Sequence, residues 1–307
     1  APFTWETRDL GLQVAGLMTA DMIRRRLAAP VTAEDPSRTI DRIIVPGRCR
    51  GELDALATHF GIPVQRGPEE VKDLPRFFDR AAKAISLDEY RVAIFAEIVD
   101  APRLTVPEIL ARAARHRADG ADVIDLGCLP QTPFGHLEES VQALKAEGFV
   151  VSVDSMETEE LLRGGRAGAD YLLSLTPDTL WLAQEVASTP VLIGRTPGDE
   201  VSLYQAIEHM QRAGRAFLAD SILDPIPFGL TASIVRYHRL RERFPDAPIM
   251  MGTGNLSELT EADTSGIHAL LLGICAELDV AAVLTTQVSS HARRAVKEVD
   301  WARRIMH

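Results

Sequence analysis

The chain has 307 residues, 46% of them apolar and 25% charged, an ordinary globular composition that can bury a large core. Lys plus Arg number 33 against 44 Asp plus Glu, and the net charge of −11 argues against a sequence-independent grip on a phosphate backbone, which needs a basic stripe. Cys49, Cys128 and Cys275 are three, widely spaced and without a Cys-x-x-Cys pair, which argues against both a disulfide framework and a zinc ribbon.

Two textures follow each other along the chain. Thr7 to Leu17 reads as an extended run, and Ala20 to Ala28 as a helix with Met22, Ile23 and Leu27 on one face and Arg24, Arg25 and Arg26 solvated. A short strand, Arg42 to Val45, precedes Pro46-Gly47-Arg48-Cys49-Arg50-Gly51. An amphipathic helix, Glu52 to Phe60, ends at Gly61, and Ile62 to Val64 is the next strand. This reads as β-α-β-α-β, a small parallel sheet with helices on its faces. One more helix is expected over Pro75 to Ala84. The abrupt opening implies a further strand and helix before Ala1. The first domain is accordingly placed at 1–85, a small Rossmann-like α/β unit.

From 86 to 307 strands and helices alternate eight times. The strands are Arg91–Val99, Ala121–Cys128, Phe149–Val153, Ala169–Leu175, Pro190–Arg195, Ala216–Leu223, Pro248–Gly252 and Ala281–Thr286. The helices are Val106–Ala118, Leu137–Glu147, Thr158–Ala167, Asp178–Val186, Ser202–Ala213, Ala232–Phe244, Gly266–Glu277 and His291–Met306. Near-continuous apolar strands covered by helices indicate a (β/α)8 TIM barrel; an open doubly wound sheet has the same alternation. The longest apolar stretch, Gly266 to Thr286, contains His268, Glu277 and Asp279, so it reads as a buried helix feeding a strand and not as a membrane span. No secretory leader pattern is visible, and a soluble cytoplasmic protein with no membrane or nucleic-acid partner is expected.

In a parallel barrel the reactive side chains stand where strands end. Those positions hold Glu97 and Asp100, Asp125, Asp154, Ser174, Asp220 and Asp224, then Asn255, and finally His291 and Arg293. A lone strand-end Asp is often only a helix N-cap. Five carboxylates converging on one mouth (Glu97, Asp125, Asp154, Asp220, Asp224) raise one another's pKa and cost stability, a pattern retained for a ligand, a metal or proton transfer. No His-x-x-x-His or His-x-Glu spacing supports a transition metal, so no metal ligand is assigned, although Mg2+ suits the carboxylates. A flat heterocycle offering adjacent N–H groups, such as a pterin, fits these acceptors better. Gly252-Thr253-Gly254-Asn255 lacks a dinucleotide or P-loop spacing, yet a loop after a seventh strand commonly faces an anion. His291 reads as a proton carrier or a surface residue, and Arg293 with Arg294 as a phosphate contact or a basic helix face. Cys128 reads as a small buried thiol.

Ala121-Asp122-Val123-Ile124-Asp125-Leu126-Gly127, Val151-Ser152-Val153-Asp154-Ser155 and Leu223-Asp224-Pro225 with Phe228-Gly229 resemble the pterin-binding barrel of dihydropteroate synthase. Corrinoid-dependent methyltetrahydrofolate methyltransferases share that barrel. The resemblance implies that Asp125, Asp154 and Asp224 hold a pterin ring, with Ser174, Asn255 and Arg293 as further substrate contacts. Glu97, Asp220 and His291 are then the candidate catalytic groups. The chain departs from the synthase at Ala96-Glu97-Ile98-Val99-Asp100-Ala101, at Ser174, and at Gly254-Asn255-Leu256-Ser257, where the synthase has an Asn loop, an Asn and a Ser-Arg-Lys. These departures count against condensation with p-aminobenzoate.

Val14-Ala15-Gly16-Leu17-Met18-Thr19 and Pro46-Gly47-Arg48-Cys49-Arg50-Gly51-Glu52-Leu53 extend the resemblance to dihydropteroate synthase-related proteins of organisms that make tetrahydromethanopterin. Those relatives start earlier and run past the barrel. The implied function is a transferase-type step in making or using that one-carbon carrier, with a reduced pterin as ligand and a homodimer as the assembly. Two alternatives are a non-catalytic pterin-binding or scaffold barrel and a corrinoid-dependent methyl-transfer partner.

Overall fold

The computed structural model describes residues 3–12, 14–80 and 86–306. It divides into two compact units, Ala1–Ile85 and Ser86–His307.

The first unit holds helix α1 (Ala20–Arg26), strand β1 (Ile43–Val45), helix α2 (Leu53–Phe60), strand β2 (Val64–Arg66) and a one-turn helix α3 (Leu74–Phe77). Strands β1 and β2 pair in parallel, with Ile43 opposite Val64. Among the described residues the expected third strand does not form. In the run from Thr7 to Leu17, Gly11 turns left-handed (φ 66°). Beyond that run, Thr19 makes an isolated parallel bridge to Arg50. Pairing of β2 begins at Val64 because Pro63 has no N–H to donate, and its carbonyl instead accepts from Ile43. The helix expected over Pro75 to Ala84 is limited to α3; positions 81–84 lie outside the described residues. Ala20, Ile23, Val45, Cys49, Leu56 and Phe60 make this unit's small core.

The second unit is a (β/α)8 barrel. Its strands are β3 (Ala93–Ile98), β4 (Val123–Gly127), β5 (Val150–Asp154), β6 (Tyr171–Leu175), β7 (Thr189–Leu192), β8 (Leu218–Ala219), β9 (Met250–Gly252) and β10 (Ala282–Thr285). All pair in parallel in the order β8-β7-β6-β5-β4-β3-β10-β9. A bridge between Ala219 and Ile249 joins the two ends of that sheet. The outer ring comprises α4 (Val106–Ala118), α5 (Leu137–Ala146), α6 (Thr158–Arg166), α7 (Leu182–Glu185), α8 (Glu200–Arg212), α9 (Leu230–Arg243), α10 (Gly254–Ser257), α11 (Thr264–Glu277) and α12 (Ala295–Ile305). Most barrel strands are a few residues shorter than the sequence pattern implies, and the largest differences are at α7, which is one turn, β8, which is two residues, and α12, which starts at Ala295 and not at His291. No helix among the described residues is long and apolar enough to cross a membrane.

The period of two along each strand sorts the interior into layers. Phe95, Val123, Leu173, Val191, Leu218, Met250 and Ala282 pack together inside the ring. Two residues further along the same strands, Glu97, Asp125 and Asp220 face inward one layer nearer the C-terminal mouth. The apolar layer is therefore a floor, and the carboxylates stand on it.

Candidate active site

The carboxylates come from neighbouring strands in direct register. Glu97 on β3 lies opposite Asp125 on β4, and Gly127 lies opposite Asp154 on β5. One carboxylate oxygen from each of Glu97, Asp125 and Asp154 falls within 4.8 Å of the others. Gly127 makes this crowding feasible, since a Cβ there would stand 2.5 Å from Glu97 Oε1. Asp125 is fully buried and accepts from the Ser152 hydroxyl through Oδ1. Its Oδ2 is buried with no hydrogen-bond partner.

Burial and mutual repulsion set the charge state. Burial, then the charges of Asp154 and Glu258, push the Glu97 carboxyl up to about 7. Asp125 is held well above the usual range by burial, then by Asp154 and Glu97. Burial and Asp220 raise Asp154 to about 6. Burial also raises Asp220 to about 6, against the opposing donations of Tyr237 and the Ile222 N–H and the nearby Arg236. The mouth thus holds acids that exchange protons near neutrality, together with acceptors for N–H donors. Its all-oxygen donor set at Glu97, Asp125 and Asp154 also suits a hard cation such as Mg2+.

The other sequence-derived candidates have varied surroundings. Asp100 pairs with Arg112 on α4. Asp224 accepts from Arg236 Nη2 at 2.7 Å, and its backbone N–H donates to Ser233 Oγ. Ser174 is half-buried on β6. Asn255 is exposed, and its Nδ2 donates to the Leu223 carbonyl at 3.0 Å, tying the loop after β9 to the loop after β8. The Gly252–Asn255 segment does not form an open anion loop: it turns directly into the four-residue α10. His291 Nε2 donates to the Ser257 carbonyl at 3.0 Å, which ties the loop after β10 to the end of α10 after the neighbouring β9. Arg293 is exposed. Burial and Glu160 raise the Cys128 thiol, which leaves it inert as a nucleophile.

Three residues that the strand-end reading missed complete the site. Glu258, just after α10, accepts from Thr286 Oγ1 and from the N–H groups of Val288 and Ser289, each at 2.8 Å. Burial works upward on Glu258, but these donations outweigh it and hold its carboxyl below the usual range. Arg236 and Tyr237 reach the mouth from α9, Arg236 onto the carbonyls of Ser221 and Ile222 and Tyr237 onto Asp220. Glu258 follows Gly254-Asn255-Leu256-Ser257 directly, and that place just past the end of β9 is its one signal.

Fold and site together define a (β/α)8 barrel with a carboxylate-lined C-terminal mouth. Among solved structures the chain is similar to dihydropteroate synthases, and the likeness is one of fold. That of Yersinia pestis with a pterine-sulfa conjugate is 18% identical, with a TM-score of 0.53 over 72% of this chain and 93% of that one. That of Thermus thermophilus in complex with 6HMPPP is 20% identical, with a TM-score of 0.53 over 73% and 95%. The 7,8-dihydropteroate synthase of Vibrio fischeri is 15% identical, with a TM-score of 0.53 over 73% and 94%. Residues 1–69 match a family of unknown function (DUF6513). An uncharacterized protein of Methanocaldococcus jannaschii is 28% identical over 241 residues, covering 71% of this chain and 45% of its own length. The chain thus spans less than half the length of that curated relative.

Proposed function

We propose that the barrel binds a reduced pterin in its mouth and acts as a transferase-type enzyme in the making or use of a tetrahydromethanopterin-like one-carbon carrier. The observation that carries this reading is the inward-facing set Glu97, Asp125 and Asp154, within 4.8 Å of one another, with one oxygen of Asp125 buried and unpartnered. A buried polar atom without a partner costs free energy, and a ligand that supplies the missing hydrogen bond recovers it. The amino-lactam edge of a pterin presents two adjacent N–H donors, which one carboxylate accepts side by side. A carboxyl that retains its proton donates to a ring nitrogen or carbonyl on the same edge, and Asp125, whose burial and charged neighbours favour the protonated form, is placed for that role.

The fold likeness to dihydropteroate synthases and the sequence resemblance to proteins of tetrahydromethanopterin-making organisms both support this reading. The synthase of Yersinia pestis is solved with a pterine-sulfa conjugate and that of Xanthomonas albilineans with 7,8-dihydropteroate. The departures at Glu97, Ser174 and Gly254–Ser257 direct the reaction away from p-aminobenzoate. Asp154 and Asp125 hold the ring, and Glu97 or Asp220 moves the proton. Mg2+, if bound, would use the same oxygen donors and neutralise part of their repulsion.

Isothermal titration with a 7,8-dihydropterin tests the assignment. The intact protein should bind it, and Asp154→Asn should weaken the affinity about 10- to 100-fold, the range for losing a charge-assisted hydrogen bond. Absence of binding, or an Asp154→Asn variant equal to wild type, removes the reading.

A further inference from the structure

The loop that follows β8 holds Asp220 in an asymmetric cradle. The Tyr237 hydroxyl donates to Asp220 Oδ1, and the Ile222 N–H donates to the same oxygen at 2.7 Å. Oδ1 has two lone pairs in the carboxylate plane, and these two donors occupy both. Tyr237 is fully buried, whereas Asp220 keeps part of its surface exposed. Ile222 sits at φ 62°, a left-handed conformation that a β-branched residue adopts only when its surroundings impose it. Arg236 imposes it: Nη2 donates to the Ile222 carbonyl at 2.8 Å and to Asp224 Oδ2 at 2.7 Å, and Nε donates to the Ser221 carbonyl at 3.3 Å. The charged and titratable groups around Asp220 are Asp154 from β5 and Arg236 and Tyr237 from α9, with Cys275 of α11 beside Tyr237.

We propose that Tyr237 is a positioning residue that reserves Oδ1 of Asp220 for fixed donors, so that Asp220 carries its exchangeable proton on Oδ2 and is the proton donor of the mouth. In the transfer step the Oδ2–H bond breaks and an N–H bond forms on a ring nitrogen of the bound heterocycle. The charge left on Asp220 is held by the Tyr237 hydroxyl and the Ile222 N–H, and solvent returns the proton afterwards. The assignment deepens the pterin reading and rests on it for the identity of the acceptor. The device itself requires only the protein.

The experiment follows the tyrosine ring signals by NMR between pH 4 and 8, in a chain that has four tyrosines. In wild type, the Tyr237 signal should titrate with a midpoint near 6, that of Asp220, and Asp220→Asn should abolish that transition. In Tyr237→Phe, the Asp220 carboxyl signal should titrate about one pH unit higher, the size expected for losing one hydrogen bond to the charged form. A Tyr237 signal that ignores pH, or an unmoved Asp220 midpoint in a folded Tyr237→Phe protein, overturns the proposal. If Tyr237→Phe does not fold, the wild-type and Asp220→Asn spectra decide it. Titration with the dihydropterin at pH 5 and 8 separates the two readings. Absence of binding with the Tyr237–Asp220 coupling intact removes the pterin and leaves the positioning. Pterin binding without the coupling does the reverse.

Discussion

At neutral pH Glu97 stands close to its titration midpoint, since its carboxyl lies at about 7 against an ordinary value of 4.5. The folded state therefore holds this proton more tightly than the unfolded chain. The stabilisation is complete below about pH 4.5 and is lost as the pH rises through 7. A tenfold change in proton affinity corresponds to about 1.4 kcal/mol, and allowing for the partial exposure of Glu97 leaves about 2 kcal/mol. Glu97→Gln, which keeps the shape and removes the charge, should raise the melting temperature at pH 8 by several degrees and change it little at pH 5. Thermal denaturation at both pH values checks this, and a variant no more stable than wild type at pH 8 would place Glu97 outside the repelling cluster. The strand-end carboxylates were legible because a period of two and an alternating chain are local signals. Tyr237, Arg236 and Glu258 were not, because on a helical wheel they read as ordinary positions. Only the closing of the ring turns them toward a strand end far away in the sequence.

The elements divide in the same way. Long apolar strands such as β3, β4 and β5 announce themselves, whereas β8 is cut to two residues by a side chain, since Asp220 captures the Ile222 N–H that would have continued the ladder. The closing helix α12 is held by a contact that periodicity does not reveal. Arg303 is 3% exposed and donates to the carbonyls of Val92 at 2.7 Å and Gly120 at 2.9 Å, to Asp300 Oδ1, and to Asp122. Gly120 is required beneath it, because it adopts φ 110° and a Cβ there would stand 2.6 Å from the Asp300 side chain. The tie joins the last helix to the N-terminal ends of β3 and β4 at the barrel floor, opposite the mouth. Removing one partner of a buried ionic network strands the others, so Arg303→Ala should cost about 3–5 kcal/mol. Chemical denaturation reads this as a lower midpoint with an unchanged slope. A loss under about 1 kcal/mol would mean that α12 is held by its apolar face alone.

On the scale of the molecule, each apolar core is drawn from one unit. Ala20 to Phe60 supply the core of the first, and Val92 to Ala302 the core of the barrel. A two-stranded sheet with two short helices buries little, while the barrel encloses a floor and an outer helical ring, so their stabilities should differ widely. Calorimetry should accordingly resolve two transitions. The lower belongs to 1–85, and the upper, at about 0.7 kcal/mol per residue, should carry on the order of 150 kcal/mol for the barrel. Starting the chain at Ser86 should delete the lower transition and leave the upper within a few degrees of its place. A single transition of on the order of 200 kcal/mol that vanishes when 1–85 is removed would instead make the first unit part of the barrel's cooperative structure.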